Sequence, residues 1–307
     1  MKPRKPLPEP LSNVVFTVSA ARDAGVQRGR LRGTDLAAPF RGVRVPADFN
    51  GSVLHRARAL QGLLPAITFS DLTAARLWGL DLPIEAEDEP LFVAVRAPKR
   101  APQIAGVRGR QITDPDVRAV TRNGFALIDA ASIFCQLAAH LELADLVAVG
   151  DALVRDPPVL HPGDPRPWVT LDALRDRVAR FRGRGCRLAR EAIPLVRVGA
   201  ESRQESRLRV AIVRAGLPEP EPNVEIRGAD GRLITRVDLY YPSWDVGVEY
   251  EGGQHEAGRQ LARDIARYDD LAAHGTRIVR VDKSFIRAPD ASLARIERAL
   301  RERGWVP

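Results

Sequence analysis

The stretch from Arg236 to His255 gathers four acidic residues and a histidine within twenty positions. Carboxylates are hard oxygen ligands of the kind that Mg²⁺ prefers, and Mg²⁺ keeps its remaining positions for water and phosphate oxygens. An imidazole beside such a metal can take a proton from water near neutral pH. These residue types in this spacing point to metal-dependent hydrolysis of a phosphodiester, with Mg²⁺ or Mn²⁺ as the cofactor.

A β-hairpin is predicted to position these side chains. Apolar and polar residues alternate on both sides of Pro242, with Val237 and Leu239 expected on one face and Asp238 on the other. A turn near Pro242 would bring Asp238 almost opposite Glu249, where paired side chains lie about 5 Å apart. Carboxylates this close repel each other unless a cation lies between them. An ordinary hairpin with acidic residues on its solvent face would show the same pattern, and this alternative stays open.

The segments on either side of the hairpin predict an α/β domain with a mixed sheet. Ser202 and Glu205 have the spacing of a capping box at the start of a helix, which also gives Glu205 a structural explanation. Asp264 falls between apolar positions of a second expected helix, where a lone buried carboxylate would need a partner or a metal. The other elements expected are strands over 223–227, 232–240 and 276–281 and a closing helix over 291–303.

The first residues of the chain predict a DNA-binding module. A helix capped by Thr17 or Ser19 and ended by Gly25 is followed by a second expected helix from Val26 and a strand over 40–46. That order is typical of a winged helix-turn-helix, in which the second helix enters the major groove and the wing touches phosphate. The candidate DNA-binding residues are Arg28, Arg30 and Arg32 on that helix and Arg41 and Arg44 in the wing.

Composition shifts predict how the chain is divided. Five prolines interrupt 156–168 and mark a linker, and the preceding apolar region, 125–154, is expected to be helical with a break near His140. His140 lies among apolar neighbours and is interpreted as a core or boundary residue and not as a ligand. The expected divisions are a flexible tail over 1–12, a winged helix over 13–82, a middle α/β region over 83–155, a linker with helices over 156–199 and a C-terminal α/β domain that carries the hairpin over 200–307.

The net charge of +8 is concentrated in the first two thirds of the chain. Residues 201–307 contain 18 basic and 18 acidic side chains, so the whole excess lies before them. A basic excess favours a polyanion partner such as DNA, with solubility as the alternative explanation. The two cysteines have no ligand-like spacing, and no apolar stretch is long enough for a membrane span, so we expect a cytoplasmic protein without membrane contact.

Four ordered polar segments resemble a known enzyme family. Glu205 on its helix, the R-V-D-L segment with Asp238, the E-Y-E-G-G-Q-H segment and the R-D-I-A-R-Y-D-D-L segment around Asp264 are similar to the very-short-patch-repair endonucleases. These belong to the PD-(D/E)XK nuclease superfamily, and the pattern is close to its E-D-x-H-D branch. The resemblance covers roughly residues 200–300 and implies a restriction-endonuclease-like fold.

The resemblance also implies a role for each of these residues. Asp238 would be the best metal ligand, Glu249 takes the second acidic position, and Glu251 stands where the superfamily pattern has lysine. Without that lysine, His255 would handle the proton. Glu205 and Asp264 would orient His255 or bind metal-bound water. The metal set is therefore Asp238, Glu249 and Glu251.

The N-terminal segment, T-V-S-A-A-R-D-A-G-V-Q-R-G-R-L-R followed by F-R-G-V-R-V, resembles the AbiEi-type antitoxins, whose N-terminal domain is taken to bind DNA. Together the segments predict a metal-dependent DNA endonuclease tethered to a winged helix. The alternatives are an antitoxin-like regulator that keeps a nuclease fold without catalysis, and a nuclease directed at RNA. The target sequence, the oligomeric state and any toxin, repair or defence partner do not follow from the sequence.

Overall fold

A computed structural model of the chain describes residues 5–12, 14–47, 52–83, 89–228, 230–251, 271 and 273–307. The chain divides into two compact units. The first contains Met1–His140 together with Phe181–Cys186, and the second contains Leu141–Arg180 together with Arg187–Pro307. The boundary between the two units after His140 therefore comes before the proline-rich stretch over 156–168. No helix among the described residues is both long and apolar enough to cross a membrane.

The elements of the first unit are β1 (Phe16–Thr17), α1 (Val18–Asp23), β2 (Leu36–Ala37), β3 (Val43–Pro46), α2 (Val53–Leu63), β4 (Thr68–Phe69), α3 (Asp71–Trp78), β5 (Leu91–Arg96), β6 (Val107–Ile112), β7 (Ala119–Arg122), β8 (Phe125–Ile128) and α4 (Ala130–Leu137). The strands form two sheets with the orders β1-β3-β2 and β6-β5-β4-β8-β7. The smaller sheet is antiparallel, and the larger one is mixed.

The first predicted helix is confirmed, and the second one is wrong. The Thr17 hydroxyl accepts a hydrogen bond from the backbone of Ala20 and caps α1. The residues from Val26 onward form turns, with only a short 3-10 helix over Arg30–Arg32. The reason is the pair of glycines Gly29 and Gly33, each of which disfavours a helix by about 1 kcal/mol relative to alanine. A recognition helix of ordinary length is therefore not formed here.

The expected helix over 125–154 begins later than predicted. Phe125–Ile128 forms β8, which pairs with β7 through the two-residue turn Asn123-Gly124. Both turn residues have positive φ, +50° and +77°. An Asn-Gly pair between apolar runs is a strong hairpin signal, and it outweighs the helical composition of the residues that follow. The predicted break near His140 is confirmed by the end of α4.

The second unit contains α5 (Leu143–Val154), α6 (Leu171–Arg180), most of α7 (Cys186–Ala192), α8 (Arg203–Arg214), β9 (Glu221–Arg227), β10 (Leu233–Tyr241), β11 (Val246–Glu251), β12 (Arg277–Asp282) and α9 (Pro289–Glu302). Its strands form a mixed sheet in the order β12-β11-β10-β9. Strands β9, β10 and β11 are antiparallel neighbours, and β12 is parallel to β11. The predicted α/β class with a mixed sheet is confirmed.

Two apolar clusters hold this sheet. Leu239 and Val248 pack with residues of α8 and α9 in one cluster, whereas Val237 packs with Tyr240 and Leu271 in another. The expectation that Val237 and Leu239 share a face is therefore wrong. The alternation of β10 is interrupted at Asp238, between these two residues. The facing residue of β9 is Asn223, which has a φ of +53° and locally breaks the regular strand geometry.

Candidate functional site

The predicted hairpin forms from β10 and β11. The two strands are joined by a turn over residues 242–245, and their pairing runs from Tyr241 with Val246 to Leu239 with Val248. The regular pairing ends at Leu239 with Val248, and Asp238 and Glu249 are the next residues of the two strands. The backbone N–H of Tyr250 donates a hydrogen bond to Asp238 Oδ2, so the Asp238 carboxylate lies against the strand that carries Glu249.

The surroundings of the two carboxylates differ. Asp238 is half-buried, and its Oδ2 accepts a 2.8 Å hydrogen bond from the backbone N–H of Tyr250 on the neighbouring strand. Glu249 is only 6% exposed and faces Arg280 in the register of β11 with β12. Charge buried at this depth requires compensation by an opposite charge or by hydrogen bonds.

Glu205 reaches the same part of the sheet from α8. Ser202 caps this helix by accepting a hydrogen bond from the Glu205 backbone. The Glu205 Oε2 atom accepts 2.9 Å and 2.8 Å hydrogen bonds from the Glu201 backbone and from Asn223 Nδ2. Since Asn223 lies opposite Asp238 in the register of β9 with β10, Glu205 is tied to the residue next to Asp238.

Glu251 occupies a more exposed position at the end of β11. Its Oε1 lies 3.3 Å from Arg280 Nε, and about half of each side chain is exposed to solvent. This contact gives Glu251 a structural role as one half of a surface ion pair. Its predicted role as a metal ligand stays a prediction.

The remaining predicted site residues, His255 and Asp264, lie outside the described residues. Among the residues that are described, no group of three or more His, Cys, Asp or Glu side chains is arranged to hold a metal ion. Mg²⁺ is commonly held by one or two carboxylates while water and substrate phosphate complete its octahedron. The neighbouring pair Asp238 and Glu249 provides this smaller donor set.

The similar proteins found by comparison are two uncharacterized proteins of Mycobacterium tuberculosis. They are MT2308 of strain CDC 1551 / Oshkosh and Rv2248 of strain ATCC 25618 / H37Rv. Each is 35% identical over 150 residues, which is 44% of this chain and 55% of the relative. The chain thus spans about half the length of these relatives. No family model and no solved structure matches the chain.

The predicted DNA-binding arginines fall into two groups. Arg28, Arg32 and Arg41 are exposed. Arg30 is paired with Asp35 through contacts of 2.6 Å and 3.1 Å, and Arg44 donates a 2.7 Å hydrogen bond to the Leu31 carbonyl. These two side chains therefore help to hold the N-terminal segment together, whereas the three exposed ones point cationic groups into solvent.

The interpretation of His140 as a core or boundary residue misses a polar contact. Its Nε2 lies 3.2 Å from Asp71 Oδ1, and its ring packs edge-on against Phe92 with centroids 5.4 Å apart. Asp71 directly follows Ser70 at the start of α3, and this Ser-Asp pair before an apolar run is a local signal of a helix start. Asp71 and His140 are 69 positions apart, so no argument from spacing could predict their contact.

Proposed function

We propose that the chain is a metal-dependent DNA endonuclease that acts in the cytoplasm. The observation that carries the proposal is that Asp238 and Glu249 come next after the last paired residues of β10 and β11. The Asp238 carboxylate is bonded to the Tyr250 backbone, and Glu205 is bonded to Asn223 on β9. A nuclease needs oxygen donors at one point of a rigid element, and strands hold such groups more firmly than a loop would. The mixed sheet with α8 and α9 packed on it fits the α/β fold that the family resemblance implies.

Asp238 and Glu249 would hold Mg²⁺ or Mn²⁺ in this proposal. When bound, the metal would polarise the scissile phosphate and stabilise the charge that develops on it. The Tyr250 backbone N–H fixes one oxygen of Asp238 and thereby orients its carboxylate. Glu205 and Asn223 support the strand from the other side. His255 would accept the proton from the attacking water, and Asp264 would orient His255.

The basic first half of the chain would hold the DNA. Arg28, Arg32 and Arg41 are exposed, and guanidinium groups bind phosphate in a two-pronged geometry. Because no helix extends from Val26, we propose that this N-terminal module is a reduced winged helix that contacts the phosphate backbone. Such contacts position a protein on DNA without reading its sequence.

The second candidate function is a DNA-binding regulator that has kept a nuclease fold without catalysis. Two observations favour it. The described residues contain no group of three metal-ligand side chains, and the predicted ligand Glu251 is engaged with Arg280. In such a protein the carboxylates of the hairpin would serve only the packing of the sheet.

A nicking assay separates the two functions. The full chain is incubated with supercoiled plasmid, single-stranded DNA or RNA in Mg²⁺ or Mn²⁺, beside Asp238→Asn and Glu249→Gln. The matched control is Glu225→Gln, which alters an exposed carboxylate on β9 of the same sheet. The endonuclease proposal expects metal-dependent cleavage of DNA that falls at least about 100-fold in the first two variants and is unchanged in the control. Cleavage of RNA alone would favour the RNA-directed alternative, and equal cleavage by all variants would reject the site.

Metal binding is measured in the same variants without reference to catalysis. Raising Mn²⁺ should increase the melting temperature of the wild type, because a ligand that binds only the folded state stabilises it. The increase should be lost in Asp238→Asn. DNA binding with no metal-dependent stabilisation and no cleavage would leave the regulator as the remaining candidate.

A further inference from the structure

A second polar site lies within the first unit. A cavity of about 300 Å³ opens between the start of α3, strand β6 and the residues after α4. Its polar lining comes from Asp71, Arg108, Arg110, His140 and Arg184. Cavities of this volume are at the lower end of the range that holds small-molecule ligands.

Asp71 is the most constrained residue of this cavity. Its side chain is 3% exposed, and its Oδ1 is bonded to Arg110 Nη1 at 2.6 Å and to His140 Nε2 at 3.2 Å. Its Oδ2 has almost no surface accessible to solvent, so a ligand in the cavity does not reach it. Asp71 therefore serves to hold Arg110 and His140 in the cavity wall.

Asp71 is held in its charged form. Burial raises the pKa of Asp71, but the hydrogen bonds with His140, Ser70 and Arg110 and the charge of Arg110 together outweigh it. The net pKa is therefore below the ordinary value. The backbone of Asp71 has a φ of +49°, and its N–H donates a 2.9 Å hydrogen bond to the Gln136 side chain. Such a strained conformation persists only where its surroundings hold it, and this one fixes the carboxylate in the cavity wall.

The positive charge of the cavity exceeds the negative charge. Arg108 and Arg110 lie two positions apart on β6 and so project from the same face of the strand. Arg184 adds a third guanidinium, and all three arginines are exposed. Asp71 offsets only one of these charges. Guanidinium groups match the geometry of phosphate, so this arrangement favours a phosphorylated ligand.

Aromatic side chains form the apolar part of the wall. Phe92 and Phe181 line the cavity and are each only 7% exposed. The Arg108 guanidinium carbon lies 5.7 Å from the centroid of the Phe92 ring. A planar ligand group could pack against these rings while a phosphate on the same ligand meets the arginines.

We propose that this cavity binds a nucleotide, with its phosphate on Arg108, Arg110 and Arg184 and its base against Phe92 and Phe181. A nucleotide is the ligand class that combines a phosphate and a planar apolar face in one small molecule. It can be a free mononucleotide or the phosphorylated end of a nucleic-acid strand. The proposal does not depend on the carboxylate pair of the hairpin.

Calorimetric titration of the full chain tests the proposal. The probes are the nucleoside 5′-monophosphates, the corresponding nucleosides, inorganic phosphate, and a short DNA strand with either a 5′-phosphate or a 5′-hydroxyl. We expect at least one monophosphate to bind with a Kd below about 1 mM, and its nucleoside and inorganic phosphate to bind at least about tenfold more weakly. Preference for the 5′-phosphorylated strand over the free nucleotide would identify a strand end as the source of the ligand.

Three variants assign any binding to the cavity. Arg108→Gln and Arg184→Gln alter exposed side chains, so the fold should be retained, and each should weaken binding about tenfold. The control Arg22→Gln removes an exposed arginine of α1 in the same unit and should have no effect. The proposal would be overturned by an absence of nucleotide binding, by inorganic phosphate bound as tightly as the nucleotides, or by wild-type affinity in both cavity variants.

Discussion

Asn223 Nδ2 donates a 2.8 Å hydrogen bond to Glu205 Oε2 and an equally short one to the Gly199 carbonyl. Asn223 can do this because its φ of +53° turns the side chain away from the position that a regular strand residue would take. Asparagine tolerates this left-handed conformation better than most residues. One residue thus joins the start of α8 to β9 beside Asp238.

Replacing Asn223 should weaken the second unit in two separable ways. Asn223→Gly removes both side-chain hydrogen bonds and should lower the free energy of unfolding by about 1–3 kcal/mol. Asn223→Ala removes the same bonds and adds a side chain at a left-handed φ, which should cost about 1 kcal/mol more. Urea unfolding of the three proteins measures the difference. Equal stability of the alanine and glycine variants would contradict the strain at this position.

A buried ion network on α8 should be sensitive to the loss of one partner. Arg209 is fully buried and bonds to Asp151 at 2.7 Å and to Glu219 at 2.9 Å. Asp151→Ala leaves this cation without its buried partner and should destabilise the protein by about 3–5 kcal/mol. The control Glu225→Ala breaks an exposed pair with Arg227 and should cost no more than about 1 kcal/mol. Chemical denaturation provides both values, and a small loss for Asp151→Ala would argue against the network.

Acid should remove the stability that comes from Asp71. Its pKa in the folded protein lies below the ordinary value of 3.8, so the unfolded chain binds a proton more readily. The stabilising contribution of the charged carboxylate is therefore fully present above about pH 5 and is lost as the pH falls from 3.8 through the lower pKa of the folded protein. The gap in unfolding free energy between wild type and Asp71→Asn should be smaller at pH 3 than at pH 5. A difference in unfolding free energy that is larger at pH 3 than at pH 5 would contradict this prediction.

The close packing of β11 should exclude a side chain at Gly247. A Cβ there would lie 2.6 Å from Ile278 Cδ1 and 2.9 Å from Val237 Cγ1. Gly247→Ala should therefore cost about 1–3 kcal/mol through overpacking. Gly29→Ala is the matched control, because a Cβ at Gly29 meets nothing within 4 Å. Thermal unfolding compares the two variants, and an equal melting temperature would show that Ile278 and Val237 move aside freely.

Local patterns in the sequence were sufficient for much of the second unit. The period-two alternation around Pro242 predicted the hairpin, and the Ser202 to Glu205 spacing predicted the helix cap, because both depend on contacts between residues close in the chain. The same reasoning wrongly predicted a helix from Val26, because Gly29 and Gly33 disfavour a helix more than the residues around them favour it. It also missed the Asn123-Gly124 turn, because the helical composition of the apolar run after the turn competes with the hairpin signal.

The sequence by itself determined the α/β class, the charge distribution and the placement of acidic residues on one hairpin. Only the tertiary structure decided that Asn223 joins Glu205 to the strand beside Asp238, that Glu251 meets Arg280, and that Asp71 meets His140 and Arg110 in a cavity. The physical reason is that side-chain period and turn chemistry act over a few residues. A hydrogen bond between residues far apart in the chain depends instead on how whole strands and helices pack, which no local pattern encodes.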